Sequence, residues 1–176
     1  MTTYVALLRG INVGGHRKFP KADQLRMLEE LGYVNAQVYL HTGNWVFSTE
    51  EKPLDDSETI SRAIEKKYGW VVPVLVLPAS YFAHIFYGCP FSEKIIEKSY
   101  FTVLAKVPAL ERIAVLKKYD FPGEQYHLSD YCVYFYPSQG AHKAKMSNNF
   151  FEDKLKVTAT TRNYRTMAKL LEWVNS

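Results

Sequence analysis

Tyr4-Val5-Ala6-Leu7-Leu8-Arg9-Gly10-Ile11-Asn12-Val13-Gly14-Gly15-His16-Arg17-Lys18 opens the reading of this chain. An apolar strand, Tyr4 to Arg9, breaks into a loop rich in glycine and cations and free of acids. Pro20 then opens an amphipathic helix to Leu31, with Leu25, Leu28 and Leu31 as its apolar stripe and Gly32 as its stop. Outward from this β–loop–α unit, Gln37–His41 and Trp45–Ser48 alternate as two strands joined at Thr42-Gly43-Asn44. Asp56 or Ser57 caps a second helix carrying Ile60, Ala63, Ile64 and Tyr68. Val71–Leu77 is a β-branched strand, which the enclosed Pro73 places at a sheet edge. This is β-α-β-β-α-β, the ferredoxin-like or α/β-plait pattern, with expected strand order 4-1-3-2. A helix over 80–87 follows, and Gly88-Cys89-Pro90 breaks it.

The pattern then repeats. Tyr100–Lys106 reads as a strand and Ala109–Lys118 as a helix with Leu110, Ile113 and Leu116 inward. Gln125–Leu128 and Tyr131–Tyr136 form a hairpin. Ser147 caps a helix, Val157–Thr160 is a last short strand, and Asn163 caps the final helix. The expected fold class is therefore α+β: two tandem ferredoxin-like domains, residues 1–90 and 91–176, each followed by an extra helix.

Composition agrees with a globular chain: of 176 residues, 47% are hydrophobic and 23% charged. The net charge of +4 lies wholly in residues 91–176, since residues 1–90 balance. Two basic segments, one at the glycine loop and one from Lys143 to Lys169, indicate affinity for something anionic. Two cysteines, Cys89 and Cys132, form neither a CxxC pair nor a disulfide framework, and read as inert packing thiols. No apolar stretch has the length of a signal core or membrane span, so a cytoplasmic protein without a membrane partner is expected. The five histidines show no metal-ligand spacing, and no cofactor motif, GxSxG elbow or carboxylate pair is present. No cofactor is therefore expected.

The plait topology places the end of the first strand beside the Thr42-Gly43-Asn44 turn. The expected site thus gathers Arg9, Gly10, Asn12, Gly14, Gly15, His16, Arg17, Thr42 and Asn44 into a polar, cationic cleft for a phosphate- or carboxylate-bearing ligand such as a nucleotide or phosphometabolite. Gly10 and Gly15 have the spacing of a Walker A loop, but His16 and Arg17 replace its Lys and Ser/Thr. Thr161, Arg162 and Asn163, at the expected start of the last helix, are a second anion-site candidate, with Lys145 in reach of either. The alternative partner is a nucleic acid. An RNA-binding plait stacks bases on aromatics of its central strands, a role that Trp45 and Phe47 could fill, although Asn44 stands where the first aromatic belongs.

Three segments, Tyr4 to Gly15, Thr42 to Ser48 and Thr158 to Tyr164, resemble hallmark segments of domain-of-unknown-function family 1697, widespread in bacteria. The resemblance spans nearly the whole chain and implies tandem plait domains. It supplies no reaction, cofactor or catalytic residue. At position 16 it leads one to expect Lys in many members, where this chain has His.

Overall fold

The computed structural model describes residues 1–50 and 57–176 in full and 53–56 by backbone alone. Its strands are β1 (Thr2–Leu8), β2 (Val34–Tyr39), β3 (Asn44–Thr49), β4 (Val74–Pro78), β5 (Tyr100–Leu104), β6 (Glu124–Leu128), β7 (Cys132–Pro137) and β8 (Ala159–Asn163). Its helices are α1 (Lys21–Glu30), α2 (Pro53–Tyr68), α3 (Ala79–Tyr87), α4 (Glu93–Ile96), α5 (Leu110–Leu116), α6 (Asn148–Leu155) and α7 (Tyr164–Val174). The strands form two four-stranded antiparallel sheets, β2-β3-β1-β4 and β6-β7-β5-β8. Both have the expected 4-1-3-2 order, so the chain holds two tandem ferredoxin-like domains.

Two compact units result: Met1–His84 with Ala168–Ser176, and Ile85–Met167. In the first, Leu8, Ile11, Phe19, Leu28, Trp45, Phe47, Ile60 and Ile64 make a fully buried core under α1 and α2. In the second, Leu116, Val133, Phe151 and Ala159 pack with Leu104 and Leu155.

Several local expectations shift. The buried stripe of α1 is Gln24, Met27 and Leu28, with Leu25 only half-buried. Ser57 lies inside α2 rather than capping it, because the helix already runs from Pro53; Asp56 lies outside the residues described in full. Pro73 precedes β4 instead of interrupting it, and β4 is an edge strand as expected. Leu110, expected inward, is 83% exposed: as the first residue of α5 it has no preceding turn to place it over the core. The last strand runs on to Asn163, so Thr161 and Arg162 belong to β8 and not to a helix start.

Candidate functional site

The chain leaves β1 at Leu8 and needs residues 9–20 to reach α1. It does so through a miniature hairpin. The His16 N–H donates to the Val13 carbonyl at 3.0 Å and the Asn12 N–H to the Arg17 carbonyl at 3.1 Å, around the two-residue turn Gly14-Gly15. Both glycines have positive φ, 58° and 77°, as a type I′ turn demands, and Asn12 and Arg17 flank them at 52° and 49°. Asparagine is among the few residues with a side chain that adopt this region readily.

A second layer of bonds braces the hairpin from below. The Asn12 side chain accepts from the Phe19 N–H at 2.8 Å and donates to the Phe19 carbonyl at 2.8 Å and to the His41 carbonyl. Gln24, fully buried, donates to the same two carbonyls at 2.8 and 3.0 Å and accepts from the Trp45 indole N–H at 2.6 Å. Ile11 and Phe19 sink both legs of the loop into the core, Phe19 meeting the Trp45 ring edge-on at 6.1 Å. The legs, the connection after β2 and the core indole are thereby joined.

The turn side is equally built. The Leu8 N–H donates to the Gly43 carbonyl at 2.8 Å, and a Cβ at Gly43 would stand 2.5 Å from the Leu8 Cβ, with φ at +87°. Only glycine fits that approach. Buried Asn44 donates to the Tyr39 carbonyl at 3.1 Å and to Thr42 Oγ1 at 3.3 Å. The loop and turn therefore adjoin, as the topology implied.

These bonds divide the expected site residues into two groups. Asn12 and Asn44, expected to orient a ligand, hold the scaffold instead: both N–H groups and the oxygen of the Asn12 amide are committed, and Asn44 is out of solvent. Gly10, Gly14, Gly15, His16 and Arg17 are exposed, with Arg9 and Thr42 half-buried beside them. The Arg17 guanidinium lies over Gly10, 3.5 Å from where a Cβ would be. Asp23, the first acid after the loop, pairs with Arg26 at 3.3 Å. Among the described residues, His16, Arg17 and Lys18 have no ion pair. Gln24 is the residue that the sequence reading missed. Its signal was a lone amide at helical spacing with Met27, Leu28 and Leu31.

The second candidate does not assemble. Strand alternation sends Thr161 and Arg162 to opposite faces of the sheet. The Thr161 hydroxyl donates to Asn148 Oδ1 at 2.9 Å and bonds Thr102 at 2.8 Å. The Arg162 guanidinium donates to Thr160 Oγ1 and to the Thr161 carbonyl at 2.8 and 2.9 Å. Burial pushes Arg162 down to about 10. Asn163 caps α7, accepting from the Thr166 N–H at 2.9 Å. The Lys145 ammonium stands over the Phe121 ring, 5.3 Å from its centre. Cys132 is fully buried and Cys89 partly so, and burial raises both thiols. Among the described residues no three His, Cys, Asp or Glu side chains are placed to hold a metal ion. No described helix is long and apolar enough to cross a membrane.

Residues 1–134 match the family described as Protein of unknown function (DUF1697). The chain belongs to that family. The conserved bacterial protein SP0830 from Streptococcus pneumoniae shares the fold with a TM-score of 0.80, at 19% identity over 98% of each chain. No curated protein matches.

Proposed function

We propose that this DUF1697 protein binds a small anionic ligand, bearing phosphate or carboxylate, on the surface formed by the Gly10–Arg17 hairpin and the Thr42-Gly43 turn. The observation that carries this is an inversion of the usual order: a loop braced internally by Asn12 and a buried Gln24 exposes its most cationic, least paired side chains. Arg17 supplies charge, His16 a ring N–H, and the Gly14 and Gly15 N–H groups supply short-range donors at the tip. Because the frame is fixed beforehand, little ordering opposes binding. A cytoplasmic setting, expected from the sequence, suits nucleotides and phosphometabolites as ligands.

The RNA-platform alternative loses its surface, since Trp45 and Phe47 are fully buried in the core. The test is a thermal-shift screen of inorganic phosphate, nucleotides and sugar phosphates against chloride at matched ionic strength. A bound ligand at a hundredfold excess over its dissociation constant adds about 2.7 kcal/mol of stability. That gain should vanish in Arg17→Ala. No gain above matched salt refutes the proposal. Single-stranded RNA and DNA form the control arm, where binding that collapses steeply with salt marks a nucleic-acid protein instead.

A further inference from the structure

The outer strand β6 has an open edge. The Ser129 N–H donates to the Cys132 carbonyl and the Ser138 N–H to the Gly123 carbonyl, both at 2.8 Å, so the odd-numbered residues of β6 turn their backbone groups toward β7. Glu124, Tyr126 and Leu128 therefore aim theirs away from the sheet. Natural edges are usually guarded. The other three here are: β2 is bulged between Val34 and Gln37, β4 is bracketed by Pro73 and Pro78, and β8 is buried or half-buried from Ala159 to Arg162. By contrast, β6 contains no proline, no lysine and no bulge, and its Gln125 and His127 stand exposed.

Beside this edge runs a groove of about 660 Å³, walled by Val107, Leu110, Ile113 and Leu116. At 83%, Leu110 is the most exposed large hydrophobic side chain among the described residues. The groove has opposite charges at its two ends. Lys117 follows α5 near Tyr126, whose hydroxyl donates to the Leu116 carbonyl at 3.3 Å, and Asp130 lies in the turn after β6.

We infer that β6 pairs antiparallel with the β6 of a second copy of this chain, about a two-fold axis at Tyr126. In that register the Tyr126 N–H meets the Tyr126 carbonyl of the second copy, in both directions. The Leu128 N–H meets the Glu124 carbonyl, and the Glu124 N–H is already given to the Phe121 carbonyl at 3.0 Å, which ends the ladder there. The same rotation sets Asp130 of the second copy beside Pro122, at the Lys117 end of the groove, and Lys117 of the second copy near Asp130. It also brings Leu110 against the C-terminal half of the other α5. A self-complementary strand with oppositely charged ends is the pattern of an isologous contact, not of a groove for an arbitrary peptide. This inference stands apart from the anion site, which lies in the other unit.

Light scattering coupled to size-exclusion chromatography, with sedimentation velocity across a concentration series, tests it on the full chain. The expected result is a dimer whose dissociation constant rises at least about tenfold in Leu110→Lys, a change at an exposed position that leaves the monomer folded. Lys117→Asp should weaken it as well, and combining Lys117→Asp with Asp130→Lys should restore it. A chain that stays monomeric throughout overturns the inference, as does a monomer whose groove instead takes up an added apolar peptide. A dimer indifferent to Leu110→Lys and to the charge exchange places the contact elsewhere and overturns it too.

Discussion

The two units share one frame and part company at one connection. In the first, the Leu8 N–H donates to the Gly43 carbonyl and the Arg9 N–H to the Pro73 carbonyl. In the second, the Leu104 N–H donates to the Tyr131 carbonyl and the Ala105 N–H to the Thr158 carbonyl. These bonds are equivalent, so Leu8 corresponds to Leu104, Arg9 to Ala105 and Gly43 to Tyr131. Past that point the second unit reaches its helix directly through residues 105–109, while the first takes residues 9–20 and builds a braced hairpin. A plait closes without arginine at this strand end, without glycine in the facing turn and without a long connection. What the first unit adds is therefore not demanded by the fold.

The sharpest way to break this comparison is at Gln24, which the second unit has no need of. Gln24→Leu keeps the volume but strands the Trp45 N–H in the core and removes a donor from two carbonyls. A loss of roughly 3 kcal/mol is expected in urea unfolding. A loss under about 1 kcal/mol means that the brace is dispensable. Next comes Gly43→Ala, expected to cost roughly 2 kcal/mol through positive φ and the Leu8 contact, even though its counterpart Tyr131 carries a full side chain. A neutral outcome here refutes the claim that the first turn is packed more tightly than the second.

Arg17→Ala should move stability by less than about 0.5 kcal/mol, because the guanidinium is exposed and supports nothing else in the loop. Its effect belongs to ligand binding, read by calorimetry with the best ligand from the screen. A marked fall in stability with binding intact assigns Arg17 to the scaffold. The smallest effect lies in the second unit. There the Asp153 carboxylate, hydrogen-bonded first by Lys154 and then by Lys156, is held down to about 2 from 3.8. A depressed carboxylate stabilises above its ordinary value, and that contribution fades as pH falls from near 3.8 toward 2. Asp153→Asn should flatten the stability profile in that window, lowering stability slightly at neutral pH and leaving it unchanged once pH falls below about 2. An unaltered acid limb removes the claim.

Much of this was legible in the sequence. The alternation of Trp45 to Ser48, the stops at Gly32 and Gly69, and the doubled β-α-β-β-α-β order carry the topology, and the topology alone brings the glycine loop to the Gly43 turn. The division of labour inside the site was not legible. Asn12 and Arg17 look alike in sequence, as polar residues of one loop, but φ and hydrogen bonding make one a strut and leave the other exposed. Gln24 was hidden because a buried amide on an apolar helix face is recognised only by its partners, two of which, His41 and Trp45, lie far away in the chain. Arg162 misleads for a related reason: the strand pattern in the sequence fades after Thr160, but β8 runs on for three more residues and puts Thr161 and Arg162 on opposite faces.

Trp45 gives the brace an experimental use. Its ring is fully buried and its N–H is tied to the same Gln24 amide that grips Phe19 and His41, whereas Trp70 and Trp173 are partly exposed. Any shift of the hairpin against the turn must pass through that amide to the indole. The protein thus carries a built-in optical reporter. Near-ultraviolet circular dichroism, or fluorescence of a variant retaining Trp45 alone, should register occupancy of the loop without an attached dye.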